Sequence, residues 1–337
     1  MLALMRLRPG LAIDLGTVNT LIYVAGRGLV VEEPSVIALE RATGKVAAVG
    51  AMAEALSGKE PEGIEVIWPL RDGVIADFEA ATRMLNTFLH RAHVRRGLVR
   101  PLAVICVPRS ATSVERRAVS ATVEVRNPHC AVRLIDEPVA AAAGAGASPS
   151  SAEGAFVVDI GGGTTEIALV AGGGVVRARS LRVGGNAMDE AIAHAVKAHF
   201  GLLLGHRASE GLKIALGLSG GETDWAEVVG VDVAHEELRS ARIPGEIVVA
   251  ALERSVGTIV EAVHEVLSGI PPDLANDVVE RKIQMAGGGA LLLGLAERIA
   301  VSTGIKTSVV EDPRRCVVRG AAEILQHRAG LRASKVA

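Results

Sequence analysis

Two stretches of the chain carry the same order of residue types. The first is Leu11-Ala12-Ile13-Asp14-Leu15-Gly16-Thr17-Val18-Asn19-Thr20, the second Val157-Val158-Asp159-Ile160-Gly161-Gly162-Gly163-Thr164-Thr165. Each is an apolar run, then Asp-x-Gly-x-x-x-Thr, then a second apolar run. Glycine lets a turn come close to a ligand and point successive N–H groups at it, which suits phosphate oxygens. Thr17, Asn19, Thr164 and Thr165 add side-chain donors. Asp14 and Asp159 would repel phosphate, so each fits only with a cation in between, and Mg²⁺, which keeps its waters and bridges to phosphates, is the usual one. Two unrelated hairpin turns are the plainer reading of either stretch alone. The two together, with the same flanks, point to a phosphate ligand held by a pair of turns.

Three further segments carry signal. Arg133-Leu134-Ile135-Asp136-Glu137-Pro138 reads as a short strand ending in carboxylates before an Ala-rich helix, Val139 to Gly146. Glu137 fits two roles equally by position: orienting an attacking water, or complementing the helix dipole with no ligand at all. Glu210 and Lys213 share one face of a predicted helix and fit either nucleoside contacts or, taken alone, a solvated surface pair. Ile283-Gln284-Met285-Ala286 leads into Gly287-Gly288-Gly289-Ala290 and then Leu291 to Leu293, a strand, a bare turn and a predicted helix. Three glycines suit close approach of a flat ring or a phosphate, and a helix start beside them suits an anion.

Other motifs are excluded. There is no G-x-x-x-x-G-K-[ST], and no G-x-G-x-x-G between a strand and a helix. Gly217 to Gly221 matches G-x-S-x-G but lacks the strand before it and the helix after it that a nucleophile elbow requires. His90 and His93 lack further zinc ligands, and His264-Glu265 is followed by Ser268 where H-E-x-x-H needs its second histidine.

These turns need strands to aim them. The flanking runs predict strand–turn–strand hairpins, and Gly28 and Gly173 fall in register at the next turn, so a duplicated α/β domain is expected. The 337 residues suit two domains. With 49% apolar and 22% charged residues the composition is globular, and a net charge of -2 gives no reason to expect nucleic acid. Aromatics at 2% leave almost no stacking platform for single strands. Cys106, Cys130 and Cys316 are far apart, which fits a reducing cytoplasm rather than a disulfide framework. No apolar run reaches the roughly 20 residues of a membrane span, and Met1 to Arg8 reads as a poor signal peptide.

The chain resembles the superfamily of actin, heat-shock chaperone ATPases and sugar kinases, and within it the bacterial actin homologues of the MreB/Mbl family. The residues that carry this are Leu11 to Leu21, Glu33-Pro34-Ser35-Val36, Asp72 to Glu79 (DGVIADFE), Cys106-Val107-Pro108 and Asp136-Glu137-Pro138. Val158 to Glu166, Thr258 to Val263, Gly287 to Leu291 and Glu311-Asp312-Pro313 complete it. DGVIADFE is not generic to the superfamily. The resemblance implies a duplicated actin-like (RNase H-like) ATPase fold, two domains flanking a nucleotide cleft that takes ATP and Mg²⁺. It implies domain I over 1–147 with a small insert at about 31–71, and domain II over 152–319 with an insert at about 184–247. Residues 320–337 would form a C-terminal helix and tail packing back on domain I.

By motif, Asp14 and Asp159 would face the magnesium. Gly16, Thr17, Val18 and Asn19 would take the phosphates from one side, and Gly161, Gly162, Gly163 and Thr164 from the other. Glu137 would position the hydrolytic water, supported by Thr164. Glu210, Gly211, Leu212 and Lys213 would meet the nucleoside, and Gly287, Gly288, Gly289 and Ala290 the purine and phosphates. The chain departs from the family at Gly185-Asn186-Ala187-Met188-Asp189, where Gly-Asp-Glu-Met-Asp is usual, at Gly211, and across about 218–246.

The implied function is a filament-forming cytoskeletal ATPase that organises cell-wall synthesis and maintains cell shape. Its partners would be further copies of itself, paralogous MreB-type subunits, and membrane proteins of wall synthesis and morphogenesis. The place would be the cytoplasm at the inner face of the cell membrane. Met1 to Leu7 and Arg95-Arg96-Gly97-Leu98-Val99-Arg100 are the candidate membrane contacts. A chaperone would need a peptide-binding domain beyond the ATPase core, and a sugar or acyl kinase a base for the acceptor hydroxyl.

Overall fold

A computed structural model describes residues 10–92, 102–124, 130–149, 151–218 and 224–334. The chain divides into two compact units. The first comprises residues up to Glu153, Val170–Val176 and those from Arg314 onward; the second comprises Gly154–Leu169 and Arg177–Pro313.

In the first unit the apolar runs around the Asp14 turn become β1 (Gly10–Leu15) and β2 (Asn19–Val24), paired antiparallel. β3 (Gly28–Pro34) adds antiparallel to β2, while β4 (Leu102–Val107) lies parallel to β1 and β5 (Ala131–Asp136) parallel to β4. The sheet order is β5-β4-β1-β2-β3. β1 is buried along almost its whole length, as a strand covered on both faces must be. A helix on this sheet, α1 (Phe78–Arg91), turns Ala80, Ala81, Met84, Leu85, Phe88 and Leu89 inward at helical spacing. Asp77 caps it by accepting a hydrogen bond from the Ala80 N–H at 2.9 Å.

The second unit repeats this plan. β6 (Ala155–Ile160) and β7 (Thr165–Ala171) flank the Asp159 turn, followed by β8 (Gly174–Leu181), β9 (Ile283–Ala286) and β10 (Thr307–Val309). The order is β10-β9-β6-β7-β8, with β9 parallel to both β6 and β10. The duplication read from the two Asp-x-Gly stretches is therefore a duplication of sheet topology.

Two three-stranded sheets stand apart. One joins Val46–Val49, Ile37–Glu40 and Ile64–Ile67; the other joins Leu202–Leu203, Trp225–Asp232 and Leu238–Pro244. Five more helices matter below: α2 (Glu137–Gly144), α3 (Gly185–Phe200), α4 (His206–Leu216), α5 (Gly245–Leu267) and α6 (Cys316–Ser334). α6 lies so close on α2 that a side chain on Gly320 would strike the Ala140 carbonyl, and Leu325 covers Gly10 of β1. Among the described residues no helix is long and apolar enough to cross a membrane.

One predicted element is displaced. No α-helix opens at the glycine turn; Gly288–Leu291 is a single 3-10 turn, and the α-helix begins later, at Leu295–Thr303. Two left-handed glycines, Gly287 and Gly294, bracket that turn and delay the helix.

Candidate functional site

The first turn is shaped from behind by one serine. The Ser35 hydroxyl donates to the Gly16 carbonyl at 2.7 Å, and the Ser35 N–H donates to the Val18 carbonyl at 2.7 Å. A trans peptide points its N–H opposite to its C=O. With both carbonyls turned to Ser35, the N–H groups of Thr17 and Asn19 face the other way. Gly16 N–H closes the turn on the Asn19 carbonyl at 3.1 Å, and the buried hydroxyls of Thr20 and Ser35 meet at 2.8 Å. The Thr17 hydroxyl oxygen accepts from Gly73 N–H at 2.9 Å, so its own proton is left to donate outward.

The second turn is braced by main chain. Gly161 N–H closes on the Thr164 carbonyl at 2.8 Å, the counterpart of the Gly16–Asn19 bond. The first amides of α3 then donate to the turn: Gly185 N–H to the Gly161 carbonyl at 3.0 Å, Asn186 N–H to the Gly162 carbonyl at 2.9 Å. By the same peptide geometry the Gly162 and Gly163 N–H groups point away from α3. Gly184 must be glycine for this approach, since a Cβ there would sit 2.6 Å from the Gly162 carbonyl oxygen. The buried Thr165 hydroxyl donates to the Val183 carbonyl at 2.7 Å and is thereby committed to the frame; Thr164 is buried beside it.

Asp14 lies half-buried on β1, level with Cys106 of β4. Asp159 holds the equivalent place on β6, level with Ala286 of β9, and is only 8% exposed. Burial pushes the Asp159 carboxyl up to about 7. A bound cation relieves that cost, so the residue fits a hard, oxygen-liganded metal such as Mg²⁺. Among the described residues no cluster of three or more His, Cys, Asp or Glu could hold a metal by itself. Such an ion would therefore take one or two carboxylates and complete its shell with water and phosphate.

The structure separates the two carboxylates at the start of α2. Asp136 is clamped by Arg109 at 2.7 Å and Arg116 at 2.7 Å, a structural tie between three segments. Glu137, the first residue of α2, is partly exposed and followed by Pro138, which suits a helix start.

The Glu210–Lys213 surface pair does not form. Glu210 is exposed on α4, while the Lys213 ammonium turns to α3 and meets Asp189 at 2.8 Å and the Gly185 carbonyl at 3.2 Å. Burial pushes the Asp189 carboxyl up and Lys213 draws it back down. Gly211 is exposed and Leu212 is core. Gly287, with φ 80°, lies against the end of β6: a Cβ would be 2.2 Å from the Ile160 carbonyl oxygen and 2.6 Å from Asp159 Oδ1. Gly289 likewise packs on Ile160. The chain itself thus requires both glycines, beside Asp159, independently of any ring. Gly288 is exposed and Ala290 buried.

Met1 to Leu7 and Arg95 to Arg100 lie outside the described residues, as do Ser219 to Gly221 of the discounted serine motif. Sequence reasoning gave no role to Ser35, Gly184 or Asp189. Ser35 stood only in a matched motif and Asp189 only in a segment that departs from the family, since hydrogen bonds to a turn over long separations leave no periodic trace.

The MreB/Mbl protein family matches residues 8–333. The chain is similar to the cell shape-determining protein MreB of Escherichia coli (strain K12), with 42% identity over 323 residues, 94% of this chain and 93% of that protein. It is similar to the cell shape-determining protein Mbl of Bacillus subtilis (strain 168), 39% identical over 319 residues, 94% and 96% of the two chains. MreB5 of Spiroplasma citri has been solved bound to ADP, with a TM-score of 0.89, 30% identity and coverage of 96% and 98%. Its AMPPNP complex gives 0.87, 29%, 98% and 99%. A subunit of the MamK double helical filament shares the fold, with a TM-score of 0.80 at 24% identity, covering 95% and 99%.

Proposed function

Because the chain belongs to the MreB/Mbl family, whose actin-like fold it has, we propose that it is a filament-forming cytoskeletal protein that binds ATP with Mg²⁺, hydrolyses it slowly, and maintains cell shape by organising cell-wall synthesis. The observation that carries the reading is the pair of Asp-x-Gly turns, each with its carbonyls held from behind and its amides turned outward. That is a phosphate-binding arrangement made twice. The relatives named as cell shape-determining proteins, and the ADP and AMPPNP complexes of MreB5, support the same assignment.

In this reading Thr17, Val18 and Asn19 bind phosphate through the first turn, and Gly162, Gly163 and Thr164 through the second, with Gly16 and Gly161 closing them. Asp14 and Asp159 hold the magnesium, which when bound neutralises phosphate charge. Glu137 orients the attacking water and accepts its proton. Glu210 to Lys213 and Gly287 to Ala290 serve the nucleoside end. Self-assembly, paralogous subunits, membrane proteins of the wall machinery and the inner membrane face are the partners that go with this role.

ATP-dependent sedimentation of the purified chain at micromolar concentration tests it. Pelleting with Mg–ATP and not without nucleotide is expected. Retained ATP binding with no pelleting or light scattering under any nucleotide would remove the filament role. Phosphorylation of a sugar acceptor would move the chain to the kinases.

A further inference from the structure

Within the second unit, a continuous set of contacts runs from α4 to the phosphate turn. The Lys213 ammonium lies 2.8 Å and 2.9 Å from the two Asp189 oxygens and donates to the Gly185 carbonyl at 3.2 Å. The two side chains are 13% and 5% exposed, so the pair is held out of solvent. Both of its anchor points are on the first turns of α3. The same first turn supplies the Gly185 and Asn186 amides that fix the Gly161 and Gly162 carbonyls. Whatever displaces the start of α3 rotates those carbonyls, and with them the Gly162 and Gly163 N–H groups on the same peptide planes. An ammonium donating to an α3 carboxylate and an α3 carbonyl at once is poorly placed to serve as a free ribose donor.

We propose that Lys213 is a positioning residue for the phosphate-binding turn: through Asp189 and the Gly185 carbonyl it fixes the start of α3, which in turn holds the Gly162 and Gly163 N–H groups toward the phosphates. This rests on the nucleotide-binding reading above and changes what Lys213 does within it. Asp189 acquires a function by the same contacts. The pair also ties α4, which carries Glu210, to the turn, so the nucleoside and phosphate ends of a ligand are read by mechanically joined elements.

The two roles for Lys213 predict different mutant series. Affinities of the full-length chain for ATP and AMP, with Mg²⁺ present, are measured by displacement of a fluorescent ATP analogue. The chains compared are the parent, Lys213→Met, Lys213→Arg, Asp189→Asn and the Asp189→Asn/Lys213→Met double variant. Lys213→Met and Asp189→Asn should each weaken ATP about tenfold, the scale of one lost well-placed contact, with AMP changed far less. The double variant should lose about as much ATP affinity as either single and no more, and Lys213→Arg should recover part of the loss. The double variant removes both buried charges together, so it is informative even where a single variant leaves an unpaired charge and fails to fold. Equal losses for AMP and ATP in Lys213→Met, with Asp189→Asn like the parent, would return Lys213 to nucleoside contact. Parent-like ATP binding by the folded double variant would refute any role in the turn. A parent that binds no ATP would refute instead the nucleotide reading itself.

Discussion

At the residue scale, the chain sorts carboxylates by what surrounds them. Asp136 is fastened by two arginines, and its neighbour Glu137 opens α2. Glu137→Ala should leave ATP affinity within about twofold and slow hydrolysis by roughly 10²-fold or more; single-turnover phosphate release measures it, and unchanged turnover would exclude the residue. Asp159 differs because burial, not a partner, sets its titration. Its folded-state value of about 7 exceeds the ordinary carboxylate value, so between about pH 4 and pH 7 the native chain holds more protons than the unfolded one. This group's contribution to stability is therefore full below that window and declines as pH rises through it. Asp159→Asn should flatten that decline, by up to about 4 kcal/mol over the window. Urea unfolding of nucleotide-free protein in EDTA from pH 4.5 to 7.5 tests this. The pattern Asp-x-Gly made both aspartates legible, because their types and spacing are local. The Arg109 and Arg116 clamp was not legible, since it joins residues that no periodicity relates.

At the element scale, hairpins and the strand before Glu137 were readable from apolar runs and turn residues. The helix after Gly287 was misplaced because left-handed glycines stop a helix that the following leucines would otherwise suit. Close packing of α6 on α2 was also hidden, as it depends on missing side chains. A Cβ on Gly320 would lie 1.8 Å from the Ala140 carbonyl oxygen, whereas one on Gly257, inside α5, meets nothing within 4 Å. The same substitution should thus act with opposite signs. Gly320→Ala should destabilise by about 1–3 kcal/mol through overpacking, and Gly257→Ala should stabilise by roughly 0.5–1 kcal/mol through helix propensity. Denaturant midpoints at constant slope decide it, and equal effects would contradict the packing described. Because α2 begins with Glu137, the Gly320 variant should also hydrolyse ATP more slowly than its stability loss alone explains.

For the whole molecule, the repeated sheet order is the feature most directly foreseen, since it follows from one motif occurring twice. The hairpin tip Val170–Val176 and the segment from Arg314 group with the first unit although they follow the start of the second in sequence. A ligand that binds only the folded chain stabilises it by mass action. Mg–ATP at a hundredfold excess over Kd should add about 2.7 kcal/mol, seen as a rise in Tm that EDTA largely removes; a Tm indifferent to EDTA would argue against cation bridging at Asp14 and Asp159. The two copies of the turn are nevertheless held by unlike means, and this bears on which changes of sequence the lineage of this chain can absorb. One brace depends on the Ser35 hydroxyl for its hold on the Gly16 carbonyl, which one replacement abolishes, leaving only the Ser35 N–H on the Val18 carbonyl. The other is backbone, from Gly185 and Asn186, and persists whatever side chains follow Gly185, short of proline. That freedom accounts for how this chain can carry Asn186-Ala187 in place of the acidic pair usual at those positions and still keep its second turn in order.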